Sequence, residues 1–90
     1  MYFEWDDAKA AANLRKHGVS FEEASSVFFD PLAVAGGDPD HSDGEERWII
    51  FGLSSAGRLL VVSHTELGDA IRIISARTAT QAERRIYEEG

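Results

Sequence analysis

The side chains best suited to chemistry in this 90-residue chain are its arginines, lysines, histidines and aromatic residues. The β-branched run 71–77 carries Arg72 near its start and Arg77 at its end. Successive side chains of a strand point to opposite faces, so Arg72 stands outside if Ile71 and Ile73 pack into the core. Regular pleating then puts Arg77 on the face opposite Arg72. Only a β-bulge, or an earlier end to the strand, brings the two arginines together.

Two interpretations of an outward Arg72 are open. One is a salt bridge to a neighbouring carboxylate, and the other is a guanidinium fork presented to phosphate. RNA can be cleaved by its own 2′-hydroxyl if a proton is removed, the phosphorane is stabilised and the leaving oxygen is protonated. Arginine suits the second task, histidine, lysine or tyrosine suit the others, and an aromatic ring can hold a splayed base. Residue types alone do not distinguish such a site from an ordinary charged surface.

Length and composition predict one domain, residues 1–90, with an apolar fraction of 43% that is sufficient for a packed core. The absence of cysteine excludes disulfides and thiolate metal sites, and it favours a reducing compartment. Residues 1–7 lack the pattern of a signal peptide, and no run approaches the roughly 18 apolar residues of a membrane span. We therefore expect a soluble cytoplasmic protein.

The three histidines show no metal-ligand spacing, and no glycine-rich phosphate loop precedes a helix. His41 lies among Asp38, Asp40 and Asp43, where a bound divalent ion is the alternative to a solvated acidic loop. The loop is the better interpretation, so we expect neither a metal nor another cofactor.

The net charge of −7 is concentrated in one part of the chain. Eight acidic residues lie between Val19 and Glu46 without a lysine or arginine, whereas residues 47–78 are mildly basic. Such a block predicts a basic partner, whose association it should accelerate, while apolar anchors supply most of the affinity. The candidate contacts are Phe28, Phe29, Asp38, Asp40 and Asp43.

The first half of the chain predicts a strand over residues 1–5 and two helices. Asp6 is a suitable N-cap for a helix over 8–17, which Gly18 ends. A capping box, Ser20 to Glu23, begins the second helix, and Asp30-Pro31 ends it. A short edge strand over 32–35 and a polar loop over 36–46 follow.

The second half predicts three strands in a meander, over 47–53, 58–65 and 71–77, and a closing helix that begins at Thr80. Ala82 and Ile86 should face inward from that helix. The predicted fold class is therefore α+β.

The ordered motifs resemble the BrnT family of bacterial type II toxins. The resemblance covers nearly the whole chain outside the acidic loop. It rests on Phe3-Glu4-Trp5-Asp6, Lys9, Asn13-Leu14-Arg15-Lys16-His17-Gly18, Glu45-Glu46-Arg47-Trp48, Gly52, the strand from Arg58 to Val62, Arg72 to Arg77, Glu83-Arg84 and Tyr87.

This resemblance implies a RelE-like fold: a small antiparallel sheet with two N-terminal helices and a C-terminal helix. It implies an endoribonuclease toxin that inhibits translation and is neutralised by a BrnA-type antitoxin with a ribbon-helix-helix DNA-binding region. DNA contact is then indirect, through the antitoxin. The candidate catalytic residues are Arg72, Arg47, Lys9, His17, Arg77 and Tyr87, and the candidate RNA contacts are Lys16, Trp48 and Arg58.

Two alternatives stay open at this point. The chain could be a non-catalytic or degenerate toxin that acts as a protein-binding module and co-repressor through its antitoxin. Lys16 and His17 could also serve only as basic residues at the C-terminal end of a helix.

Overall fold

The computed structural model describes residues 1–38 and 46–90. These residues form three α-helices, one 3₁₀-helix and a five-stranded sheet. In chain order the elements are β1 (Tyr2–Glu4), α1 (Asp7–His17), α2 (Phe21–Ser26), the 3₁₀-helix (Val27–Phe29), β2 (Val34–Gly37), β3 (Trp48–Leu53), β4 (Leu59–Leu67), β5 (Ala70–Thr78) and α3 (Gln81–Glu89).

The predicted caps of the first two helices are confirmed, although α1 begins at Asp7, one residue earlier than predicted, and the second helix is α-helical only to Ser26. The Asp6 carboxylate accepts a hydrogen bond from the backbone N–H of Lys9 at 2.9 Å, and Gly18 ends α1 in the left-handed conformation. The Ser20 hydroxyl caps α2 in the same way. The 3₁₀-helix follows α2 directly, and the helical conformation ends at Asp30 and Pro31.

The sheet has the order β1-β5-β4-β3-β2. Strands β2 to β5 are antiparallel, as predicted, but β1 pairs with β5 in parallel, so the sheet is mixed. The connection explains the difference, because β1 reaches β5 through most of the chain and no hairpin turn dictates its direction. The α+β class predicted from the sequence is confirmed.

The edge strand β2 begins two residues later than expected and extends further. Gly36 and Gly37, which the sequence assigned to a loop, pair with Ile49 and Trp48 of β3. The remainder of that predicted loop, residues 39–45, lies outside the described residues.

The core lies on one face of the sheet, beneath α1, α2 and the 3₁₀-helix. Its buried members are Val19, Phe21, Ala24, Val27, Ile50, Leu60, Val62, Ile73 and Ala76. Gly52 has a special place there, because a Cβ atom added to it lies 2.8 Å from Val27 Cγ1 and 3.2 Å from an Asp30 carboxylate oxygen. The strand therefore requires glycine at this position, where the helical layer approaches its backbone.

The closing helix α3 departs from its predicted packing. The expectation that Ala82 and Ile86 face inward is wrong, since α3 has no buried residue and Ile86 is 49% exposed. Polar contacts described below attach this helix instead. No helix in the described ranges 1–38 and 46–90 is long and apolar enough to cross a membrane.

Candidate functional site

A bulge in β5 decides which arginines share a face. Ser63 pairs with Ser75 and His64 pairs with Ile73, which leaves Ile74 without a partner on β4. The extra residue reverses the alternation, so Arg72 and Arg77 both project from the face opposite the core. This is the condition under which the sequence allowed the two arginines to come together. Their strand positions nevertheless differ by five residues, roughly 16 Å at about 3.3 Å per residue.

Arg72 stands partly in solvent on this open face. Its guanidinium Nη1 lies 3.4 Å from an oxygen of Glu4, with 42% of the Arg72 side chain and 41% of the Glu4 side chain exposed. Arg72 and Glu4 are also cross-strand partners in the β1–β5 register. A single long contact between exposed groups is a weak ion pair, so it leaves most of the guanidinium's donors available.

Arg47 directly precedes β3, on the other side of β4 from Arg72. Thr65 of β4 pairs with Arg72, and the β3–β4 register, extended by one residue beyond Trp48, puts Arg47 opposite Thr65. Two strand spacings, about 10 Å, separate the two arginines. We call Arg47, Thr65 and Arg72 the arginine row. It brings two of the predicted catalytic residues to one face.

One side of α1 supplies three further predicted residues. Lys9, Lys16 and His17 line a cleft of about 220 Å³ together with Ile74 and Ser75 of β5. Ala12 and Asn13 complete that side of the helix, which we call the α1 stripe. Spacings of three and four residues place all five on one helical face. The helical spacing of the two lysines and the histidine was already visible in the sequence.

Asn13 fixes the α1 stripe against β5, and sequence reasoning gave it no role. Its buried side-chain amide donates to the carbonyl oxygens of Val19 at 2.9 Å and Ala76 at 2.8 Å. Its amide oxygen accepts from the Ala76 N–H at 3.1 Å. The side chain thus replaces a strand at the edge of β5 beyond the end of β1, and it satisfies backbone groups that burial would otherwise leave unpaired.

Arg77 has a different environment from Arg72. Its two terminal nitrogens donate to the two oxygens of Glu83, each at 2.7 Å. This bidentate pair holds the pKa of Glu83 at about 2, below the ordinary 4.5. Glu83 also completes the capping box of α3 with Thr80. The structure therefore ties Arg77 to the first turn of α3.

Tyr87 makes the second attachment of α3. Its hydroxyl donates to Asp30 Oδ2 at 2.6 Å, and the same oxygen accepts from the backbone N–H of Leu53 at 2.8 Å. The hydrogen bond raises the pKa of Tyr87 and lowers that of Asp30. A phenol that already donates to a carboxylate is a poor base, because losing its proton would place two negative charges side by side. The Arg77–Glu83 and Tyr87–Asp30 contacts together attach α3 to the rest of the chain.

Arg58 is also engaged within the chain. Its guanidinium donates to both Glu23 oxygens, at 3.0 and 2.6 Å, and to the Gly18 carbonyl at 3.0 Å. This bonding lowers the pKa of Glu23. Arg58 joins the end of α1, the start of α2 and the start of β4, and its predicted contact with RNA stays a prediction.

Trp48 and His64 pair across β3 and β4 on the face that carries the core. His64 is buried, with its ring 4.8 Å from that of Phe28 and its Nε2 3.5 Å from Glu66. Burial lowers the pKa of His64, so the neutral form is favoured. Trp48 therefore points away from the arginine row, and its RNA contact stays a prediction.

The residues predicted to bind a partner differ in accessibility. Phe28 packs against the core and contacts the rings of Phe3 and His64, whereas Phe29 is 68% exposed. Asp38 lies beside Arg47, whose carbonyl accepts from the Asp38 N–H. The other two acidic residues predicted as partner contacts, Asp40 and Asp43, lie outside the described residues. Within residues 1–38 and 46–90, no three histidine, aspartate or glutamate side chains gather closely enough to hold a metal ion.

Comparison with known proteins decides the family. Residues 5–83 match the sequence model of a family described as the ribonuclease toxin, BrnT, of type II toxin-antitoxin systems. The chain belongs to the BrnT family. It is also similar to the crystal structure of the Brucella abortus ribonuclease toxin BrnT, with 26% identity and a TM-score of 0.66 over 90% of this chain and 99% of that one. A search of curated proteins gave no match.

The range that matches the family model includes most of the candidate residues of this BrnT-family chain. Residues 5–83 include the α1 stripe, the arginine row and the Arg77–Glu83 pair. Tyr87 and Glu4 lie outside the matched range. Family membership therefore places this chain among the ribonuclease toxins but does not say which of its residues act. The positions of the side chains must indicate those residues.

Proposed function

We propose that this chain is an endoribonuclease toxin of the cytoplasm, which cuts RNA through the RNA's own 2′-hydroxyl without a metal ion and so inhibits translation. One observation carries the proposal. Within the described residues, the half-exposed Arg72 makes one weak ion pair and lies on the open sheet face, and the basic α1 stripe lies along the same strand at Ile74 and Ser75. Membership in a family of ribonuclease toxins supports the reaction class.

Arg72 serves best as the group that stabilises the charge of the phosphorane. Its planar fork can donate two hydrogen bonds to the equatorial oxygens, and these strengthen as negative charge develops there. Arg47, about 10 Å away across Thr65, can hold a neighbouring phosphate of the same strand.

The α1 stripe supplies the remaining positive charge. Lys16 and His17 lie beside Ile74 and Ser75, and they suit phosphates that flank the scissile bond. Lys9 is the stripe residue that follows β1 most closely, and β1 carries the partner of Arg72. Its ammonium is therefore our candidate for protonating the leaving 5′ oxygen.

The direct test incubates the purified chain with RNA in excess chelator and identifies the new ends. Internal attack by the 2′-hydroxyl produces a 2′,3′-cyclic phosphate and a 5′-hydroxyl. We expect those ends, and we expect RNA with 2′-O-methyl groups to resist cleavage. Cleavage that requires an added divalent ion, or that leaves 5′-phosphates, contradicts the proposed chemistry.

We further propose that a BrnA-type antitoxin with a ribbon-helix-helix region neutralises the toxin and alone contacts DNA. Phe29 and Leu32, 68% and 69% exposed, and Leu53, 41% exposed, offer apolar anchors around Asp30. Phe29→Ala should accelerate dissociation of the antitoxin. Leu67→Ala, at another exposed leucine, is the matched control. Equal dissociation rates for the two variants would refute this docking surface.

The acidic block supports a separate expectation for the same partner. Neutralising Asp38, Asp40 and Asp43 together should slow association and flatten its salt dependence, with dissociation nearly unchanged. An unchanged association rate at low salt would mean that the acidic residues do not attract the antitoxin and that the loop is only a solvated connection.

A non-catalytic protein-binding module is the second candidate function. The observation that favours it is the engagement of Arg58, Arg77 and Tyr87 in bonds within the chain. A chain that binds the antitoxin and represses its operator, yet leaves RNA intact at high concentration, would establish this alternative.

A further inference from the structure

We propose that Glu4 is the general base of the reaction, the group that removes the proton from the 2′-hydroxyl. This inference rests on the proposed function and adds a residue that neither the sequence analysis nor the family match assigns, since the match begins at residue 5.

The placement of Glu4 carries the proposal. The β1–β5 register pairs Glu4 with Arg72 on the open face, and an oxygen of Glu4 lies 3.4 Å from the Arg72 guanidinium. In the described part of the chain, this is the only carboxylate that forms an ion pair with Arg72. A phosphate bound by Arg72 therefore has the Glu4 carboxylate beside it.

The exposure of the pair fits a working base better than a structural bridge. Glu4 is 41% exposed and makes one long contact, whereas Glu83 and Glu23 are 19% and 16% exposed and make contacts as short as 2.7 and 2.6 Å. A base must exchange protons with substrate and solvent in every cycle, so an accessible oxygen is required. The carboxylate oxygens of the other two glutamates already accept hydrogen bonds from arginines of the same chain.

The chemical step balances with groups already described. The Glu4 carboxylate accepts the 2′-hydroxyl proton while the 2′ oxygen forms a bond to phosphorus, and Arg72 stabilises the charged phosphorane. The bond from phosphorus to the 5′ oxygen breaks, and that oxygen takes a proton from the Lys9 ammonium. Glu4 then returns its proton, and Lys9 regains one, through solvent.

The test compares two RNA substrates that differ only at the leaving atom. One has the natural 5′ oxygen, and the other has a 5′-bridging sulfur, a leaving group that needs no acid. Glu4→Gln should reduce the cleavage rate about 10²- to 10⁴-fold on both substrates, because proton removal is lost in each. Lys9→Ala should be slow with oxygen and close to the wild type with sulfur.

Three controls separate catalysis from structure. Asp7→Asn changes another exposed acid of this region and should leave the rate unchanged. Melting temperature and affinity for 2′-O-methyl RNA should be nearly unchanged in Glu4→Gln. If that variant folds poorly, Glu4→Ala tested with added acetate serves instead, since a free carboxylate can act in the vacated space and restore part of the rate.

Each outcome bears on the proposal in a definite way. A Glu4→Gln variant that cleaves natural RNA at the wild-type rate overturns it, while an inactive Arg72→Ala variant leaves the proposed function standing. A defect that disappears with the sulfur substrate assigns Glu4 to the leaving group and overturns its role as base. A wild-type chain that cleaves neither substrate overturns the proposed function, and the assignment of Glu4 with it.

Discussion

Arg72 and Arg77 lie on the same strand and the same face, yet their surroundings differ. Arg77 makes two contacts of 2.7 Å with a glutamate that also caps a helix, whereas Arg72 makes one contact of 3.4 Å with a half-exposed glutamate. The side chains of both arginines are equally exposed, at 42%. Exposure therefore does not separate Arg72, which we propose to bind RNA, from Arg77, which holds α3; the two arginines differ in the number and length of their contacts.

Among the variants that test this comparison of the two arginines, the largest effect is expected at Arg72. Arg72→Ala should reduce RNA cleavage by about 10²- to 10³-fold, the range for removing one donor to a developing negative charge, and should abolish growth arrest. The melting temperature should change little, because a weak exposed pair contributes little stability. A variant that remains fully toxic would remove Arg72 from the site.

The second prediction concerns how α1 is held against β5. Asn13→Ala removes three hydrogen bonds and leaves buried backbone groups of Ala76 without partners. We expect a loss of about 2–3 kcal/mol in the free energy of unfolding, measured by urea denaturation. Activity should fall as well, since the α1 stripe loses its attachment. A stability equal to that of the wild type would contradict the role assigned to Asn13.

The third prediction tests the Arg77 side. Arg77→Gln should cost about 1–2 kcal/mol of stability after allowance for partial exposure, because it breaks the bidentate pair. Cleavage by the folded fraction should stay within a few-fold of the wild type. An activity loss as large as that of Arg72→Ala would show that Arg77 leaves Glu83 to bind RNA.

The same region should respond to acid. The pKa of Glu83 in the folded chain is about 2, below its ordinary 4.5, so the Arg77–Glu83 pair stabilises the fold above pH 4.5 and is lost as the pH falls toward 2. Asp30 and Glu23 have lowered pKa values too, and they shift stability in the same direction. Glu83→Gln should flatten the decrease in melting temperature over this range, and an unchanged decrease would refute the assignment.

The smallest effect concerns phosphate contacts along α1. Lys16→Gln should weaken RNA binding modestly and reduce the salt slope of the affinity by about one. Arg15→Gln is the matched control, because Arg15 has the same charge in the same turn but does not line the cleft. Equal effects of the two variants would indicate a diffuse positive field. His17→Ala that loses stability but keeps specific activity would support the capping interpretation for that residue.

Much of this fold could be read from local signals in the sequence. Caps at Asp6, Ser20 and Thr80 and the left-handed Gly18 mark the helix ends, because the cap chemistry is local. The parallel pairing of β1 depends on contacts between residues almost seventy positions apart, which no local pattern encodes. The prediction of how α3 packs was wrong for a related reason, since Tyr87 attaches this helix to the distant Asp30 and not to the core.

The candidate site was predictable in its residue types but not in its grouping. Periodicity alone left Arg72 and Arg77 on opposite faces, and the bulge at Ile74 has no evident sequence signal. Glu4 was overlooked because its importance comes from a partner 68 positions away. The α1 stripe, in contrast, follows directly from helical spacing once α1 is placed.

The most direct test of the account is an NMR titration that follows the arginine side-chain Nε–H signals while a non-cleavable 2′-O-methyl RNA is added. We predict that the Arg72 signal shifts and saturates together with backbone amides of Lys16 and Ser75, while the Arg77 signal stays near its free position. A titration in which Arg77 shifts and Arg72 does not would contradict the central claim that Arg72 binds the RNA and Arg77 holds α3.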